Sequence, residues 1–207
     1  MGIALKGLYA ISDEKLTPYH NLPKLLEQAI LGGVKLFQLR DKSHSDKELR
    51  GLVNELSFLC VEKNVGFILN DRLELALECG VWGLHLGAKD TSLQEARSLF
   101  KGVIGVSCYG DLQRALKVQQ MGADYVAFGA CFASQTKPNA PRIDLKILQE
   151  AKACLKIPIC AIGGITPFNV DQLENVDLVA VVASLWVGDV LKNAQSLNLN
   201  SRNSKSL

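Results

Sequence analysis

The chain has 207 residues, 48% of them hydrophobic and 21% charged, enough to bury one large core without a metal or disulfide to hold it together. Lys and Arg number 23 against 21 Asp and Glu, a net charge of +2, which argues against a protein whose main task is coating nucleic acid. Its apolar runs fall far short of the roughly 20 residues that cross a bilayer.

Met1–Gly7 carries one Lys and no cleavable apolar stretch, so no signal peptide is expected. The six cysteines, at 60, 79, 108, 131, 154 and 160, form no C-x-x-C pair, and most sit within apolar runs. They read as reduced thiols filling a core, with neither a disulfide framework nor a zinc site. A cytoplasmic protein of bacterial type is the expectation.

Short Val-, Ile- and Leu-rich runs alternate with amphipathic stretches. Eight runs read as strands buried on both faces: Gly7–Asp13, Val34–Asp41, Gly66–Asp71, Gly83–Gly87, Val103–Cys108, Tyr125–Ala130, Pro158–Gly164 and Leu178–Leu185. Between the first two, Leu22, Leu25, Leu26, Ala29 and Ile30 share one helical face. After the second, Leu49, Leu52, Val53, Leu56 and Leu59 do the same, with Asp46 as the expected cap. Ser92 with Glu95 resembles a capping box, and Gly122 stops the stripe begun by Ala115, Leu116 and Val118. Strand then helix, repeated without a hairpin signal, implies parallel pairing with right-handed crossovers. Eight such units predict a single compact α/β domain, a (β/α)8 TIM barrel over residues 1–192. A doubly wound sheet would favour a Gly-rich turn after the first strand, and Asp13–Pro18 has none. Residues 193–207 hold eight Asn or Ser and read as a polar, disordered tail.

Catalytic groups of parallel barrels gather where the strands end. The second strand ends Gln38-Leu39-Arg40-Asp41-Lys42, and period-2 alternation sends Gln38, Arg40 and Lys42 to one side. Two cations and an amide suit a phosphate or diphosphate ester. The third and fourth strands end at Asn70-Asp71 and at His85-Leu86-Gly87, with Asp90 just beyond. Two carboxylates beside an anion site repel its ligand unless a cation intervenes, and Mg2+ meets that need. Ser107 ends the fifth strand without a hydrolase relay and reads as a ligand contact. Ser134-Gln135-Thr136-Lys137 follows the sixth strand as a second anion site or a lid. Gly163-Gly164 and Val182-Ala183, after strands seven and eight, stand where many barrels form a phosphate cup. His20 and His44 read as surface residues, and His85 as a hydrogen-bonded interior histidine.

These segments, in this order from Leu8 to about Leu185, resemble the thiamine-phosphate synthase family. The carrying motifs are Gln38–Lys42, Leu69–Arg72, Gly83–Gly87 with Asp90, Gly105–Ser107, Ala123–Gly129, Thr136-Lys137 and Ala161–Ile165. The resemblance implies joining a pyrimidine diphosphate to a thiazole phosphate, giving thiamine phosphate and diphosphate. It implies that Gln38, Arg40, Lys42, Asn70, Ser107 and Lys137 hold the pyrimidine diphosphate, that Arg40, Lys42, Ser107 and Lys137 are catalytic, and that Asp71 and Asp90 hold Mg2+. Ser134, Gln135, Thr136, Gly164, Val182 and Ala183 would hold the thiazole phosphate, the last three mainly through backbone amides.

The chain departs from the family pattern in having Ala88-Lys89-Asp90 where a Gln-containing motif is usual, Ser134 for Thr, and Ala183 for Ser. The expected partners are small molecules, without nucleic acid or membrane, and a homo-oligomer stays open. Three rivals remain. A thiazole tautomerase on the same fold needs neither the carboxylate pair nor the full diphosphate clamp. A non-catalytic phosphate-binding barrel gains little from metal ligands. Phosphate-sugar isomerases share only the architecture.

Overall fold

A computed structural model describes residues 2–88, 90–133 and 140–198. In chain order the first half holds β1 (Gly7–Ile11), α1 (Leu22–Leu31), β2 (Val34–Leu39), α2 (Asp46–Glu62), β3 (Gly66–Asn70), α3 (Leu73–Cys79), β4 (Gly83–Leu86) and α4 (Leu93–Leu99). The second half holds β5 (Val103–Tyr109), α5 (Leu112–Gln120), β6 (Tyr125–Phe128), α6 (Lys146–Cys154), β7 (Ile159–Ile162), a 3-10 turn (Val170–Gln172), β8 (Leu178–Val181), α7 (Ala183–Trp186) and α8 (Val190–Leu197). The strands pair in sequence order, every pair parallel, and β8 closes onto β1 with Leu8 opposite Val179. This is the (β/α)8 barrel that the alternation predicts.

Both strand faces are buried because each meets a different partner. Leu8, Ala10, Phe37, Leu39, Phe67 and Leu69 point outward and join the helix stripes, including Leu26, Leu49, Val53 and Leu56. Tyr9, Ile11, Leu36, Ile68, Tyr125, Ala127, Cys160, Leu178 and Ala180 point inward and form a second cluster. Near-continuous apolar strands are what such double burial requires.

Local physics moves several expected boundaries. The last strand ends at Val181, not Leu185, since Val182 leaves the extended region and residues 183–186 coil into α7. That turn buries both Leu185 and Trp186, and the Trp186 indole N–H donates to the Ile11 carbonyl at 2.6 Å. The seventh strand starts at Ile159, and Gly163 ends it with φ of 101°. Ser45 caps α2 rather than Asp46. Its hydroxyl accepts from the Glu48 amide while the Glu48 carboxylate accepts from the Ser45 amide, a full capping box. Asp46 falls in the first turn, where its charge meets the positive helix end and Arg72. Ser92 caps α4 as expected, accepting from the Glu95 amide at 3.2 Å. The final helix runs past the expected boundary after Lys192, and Ala194 and Leu197 are fully buried. No helix among the described residues is long and apolar enough to cross a membrane.

Candidate active site

A cavity of about 590 Å³ opens at the carboxyl ends of the strands. Its size is ordinary for a small-molecule site. Gln38, Arg40, Asn70 and Ser107 line one side; Gly163, Gly164, Val182 and Ala183 line the other. Residues far apart in sequence therefore meet there because each ends or follows a strand.

The floor is polar where a barrel interior is usually apolar. The Tyr9 and Tyr125 hydroxyls lie 2.9 Å apart, and the Gln38 amide nitrogen donates to Tyr9. Tyr125 reaches His85 Nδ1 at 2.9 Å, and His85 Nε2 reaches the Ser107 hydroxyl at 2.9 Å. Burial pushes both phenol pKa values well above their ordinary value, so neither ionises in the working range. Gly105 lies against Tyr125, where any side chain on β5 would strike the ring.

At the rim, β2 ends at Leu39, so alternation does not carry Lys42 into the cavity lining. Arg40 does line it, its amide donating to the Ser12 hydroxyl at 2.8 Å. Lys42 is half-exposed and pairs with the Asp71 carboxylate, which also accepts from Asn70 Nδ2 at 2.5 Å. Asp71 sits at φ of 65°, a left-handed conformation costly for a side-chain-bearing residue. Asp90 accepts from the Gly87 amide at 2.7 Å, on the loop after the adjacent strand. A side chain on Gly87 would strike the Asp90 carboxylate, and Tyr109, which lines the cavity, is also left-handed at φ of 57°.

The segment carrying Lys42 is tethered by Asp41. Burial pushes the Asp41 pKa up, but hydrogen bonds from Tyr19 and His44 outweigh it and hold it at about 2. The His44 amide donates to Asp41 at 2.8 Å, and Arg72 adds a contact at 3.3 Å. Arg72 thus braces the rim rather than facing the cavity. Across the mouth, Gly163 and Gly164 both have positive φ, and the Asn169 side chain donates to the Gly164 carbonyl at 3.0 Å. Ser134, Gln135, Thr136 and Lys137 lie outside the described residues, as does Lys89.

A family model described as thiamine monophosphate synthase matches residues 8–185. The chain belongs to the thiamine monophosphate synthase family. It is 50% identical over 198 residues to the thiamine-phosphate synthase of Wolinella succinogenes, covering 93% of this chain and 92% of that protein. It is 42% identical over 190 residues to the thiamine-phosphate synthase of Nitrosococcus oceani, covering 90% and 88%. The solved thiamine phosphate pyrophosphorylase of Pyrococcus furiosus superposes with a TM-score of 0.85 at 30% identity, covering 93% of this chain and 94% of that one. The chain is accordingly an enzyme of the thiamine-phosphate synthase type.

Seven residues expected in this family's site line the cavity: Gln38, Arg40, Asn70, Ser107, Gly164, Val182 and Ala183. Lys42, Asp71 and Asp90 are not among the lining residues: Lys42 and Asp71 pair with each other just past β2 and β3, and Asp90 lies on the loop after β4. Residue type alone does not mark the two interior tyrosines or Tyr109 as site residues. The parity of Tyr9 with Ile11, and of Tyr125 with Ala127, places both tyrosines inside the barrel; Gly105 opposite Tyr125 is the remaining signal. His85 is 8% exposed and hydrogen-bonded, the interior histidine expected. All six thiols are free. Burial pushes Cys60 and Cys108 up to about 12 and Cys131 to about 11, so these are inert core residues.

Proposed function

We propose that the enzyme condenses 4-amino-2-methyl-5-(diphosphooxymethyl)pyrimidine with a thiazole ethyl phosphate to give thiamine phosphate and diphosphate. One observation supports this above others: a single cavity joins a Gln38, Arg40, Asn70 and Ser107 wall to a glycine- and amide-rich wall at strands seven and eight. The first wall suits a diphosphate, the second a phosphate monoester.

Asp71 and Asp90 fit Mg2+ by donor chemistry. Both are hard carboxylates, Asp71 directly after β3 and Asp90 on the loop after the adjacent β4. Magnesium accepts one or two protein carboxylates and takes its other ligands from phosphate and water. When bound, it supplies neutralisation of diphosphate charge. Asp71 already holds the Lys42 ammonium, so both positive charges would stand beside the leaving group.

Arg40, Lys42 and Lys137 would then stabilise charge that grows as the C–O bond breaks and its electron pair leaves with diphosphate. The amino-pyrimidine stabilises the methylene cation left behind. The thiazole nitrogen donates its lone pair to that carbon and forms the new C–N bond. The protein orients the two rings and excludes water, with no covalent nucleophile.

Mixing both substrates with and without Mg2+ tests this. Metal-dependent formation of thiamine phosphate is expected, and Lys137→Ala should lower kcat strongly with folding intact. Metal-independent isomerisation of the thiazole without a coupled product, or wild-type turnover by Lys137→Ala, would overturn the assignment.

A further inference from the structure

A continuous hydrogen-bond chain crosses the cavity floor. It runs from Gln38 on β2 through Tyr9 on β1, Tyr125 on β6 and His85 on β4 to Ser107 on β5. Its first four members are nearly inaccessible, at 2%, 1%, 0% and 8% exposure, so solvent cannot scramble its donors and acceptors.

Each phenol owns one proton, and that fixes a direction. The Gln38 N–H donates to Tyr9. Tyr9 must then spend its proton on Tyr125, and Tyr125 its own on His85 Nδ1. An imidazole that accepts at Nδ1 carries its proton on Nε2, and that N–H donates to the Ser107 oxygen. The Ser107 hydroxyl proton is left free to point into the cavity.

We infer that Gln38 sets the polarity of this chain, and that Tyr9, Tyr125 and His85 are positioning residues that present Ser107 as a hydrogen-bond donor to an anionic ligand oxygen. The ligand's identity as the diphosphate rests on the function proposed above; the polarity does not. Were the chain reversed, Ser107 would donate inward to Nε2 and turn a lone pair toward the anion, which repels it. Because leaving-group charge grows in the transition state, the benefit falls on kcat more than on KM.

The test reads the His85 tautomer by 15N NMR in ligand-free protein, with the signal assigned by its loss in His85→Gln. Wild type should carry the proton on Nε2. An ionised carboxylate at position 38 only accepts, so Gln38→Glu should reverse every bond and move the proton to Nδ1. Gln38→Leu offers neither donor nor acceptor and should give a mixture of tautomers. Cutting the chain with Tyr125→Phe should make the tautomer ignore residue 38, a double-mutant signature. With substrates, Tyr125→Phe should lower kcat about tenfold at nearly unchanged KM, less than the loss of an oxyanion donor itself. An Nδ1–H imidazole in wild type, or a tautomer unmoved by both Gln38 variants, overturns the inference. Either result leaves the condensation reaction standing, whereas failure to make thiamine phosphate leaves the tautomer result intact.

Discussion

Gly105→Ala is the smallest change that strikes the cavity floor. A methyl group there would overlap the Cζ, Cε1 and hydroxyl atoms of Tyr125. The ring is fully buried and its hydroxyl is held by both Tyr9 and His85, so it cannot swing away freely. Overpacking of a core costs about 1–3 kcal/mol. A buried hydroxyl parted from its partners costs a further ~1–3 kcal/mol. The middle of both ranges gives about 4 kcal/mol, and at about 2–4 °C per kcal/mol for a domain of this size the melting temperature falls by roughly 8–16 °C. Gly51→Ala is the internal comparison. Gly51 lies mid-helix in α2, is exposed, and an added methyl meets no atom within 4 Å. That variant should gain about 0.5–1 kcal/mol from helix propensity. Thermal denaturation of both, followed by circular dichroism, checks the pair. A Gly105→Ala protein melting with wild type would refute the packing assigned to Tyr125.

Three further outcomes follow from charge and burial. Asp41 has a depressed pKa, so its contribution to stability is full above its ordinary value of about 4 and is lost as pH falls through about 2. Urea midpoints measured from pH 7 to pH 2 should show this acid limb, and Asp41→Asn should flatten it. His44 is shifted the other way, upward by its bond to Asp41, so its share is present below about pH 6.5 and fades as pH rises through the folded value. In native protein a charged thiol reagent should modify exposed Cys154 first and half-buried Cys79 slowly, leaving the four buried cysteines until denaturant is added. Mass-mapped labelling reads this directly; rapid native labelling of Cys108 or Cys160 would contradict the burial described.

Barrel architecture was legible because doubly buried strands and one-sided helices leave different periods in the same chain. The place of Gln38, Arg40, Asn70 and Ser107 in the cavity lining was legible because parity and strand ends together put them there. Lys42 shows the limit of that logic. Alternation stops with β2 at Leu39, and it is the Asp71 carboxylate that governs where its ammonium sits. The end of β8 is not legible because Val182-Ala183-Ser184-Leu185 continues an apolar run with no breaker, yet residues 183–186 coil into a helix whose Trp186 docks on Ile11. Ser45 and Asp46 are both good caps by residue type, and the reach of Glu48 back to Ser45 decides between them. The tyrosine pair is not legible in sequence, since a phenol within an apolar strand looks like packing until its partner, 116 residues away, is known.

The seam between β1 and β8 bears on how this molecule is born. A ribosome emits β1 first, yet one of its two edges finds its mate only when residues 178–181 arrive. The Trp186 clasp on Ile11 spans 175 residues and comes later still. Until then the nascent chain exposes open strand edges, the surfaces most prone to join other chains. Contacts of such long sequence separation also slow closure. Conditions that stall translation near the end, or shorten the chain before β8, should therefore yield aggregates rather than a weakened catalyst.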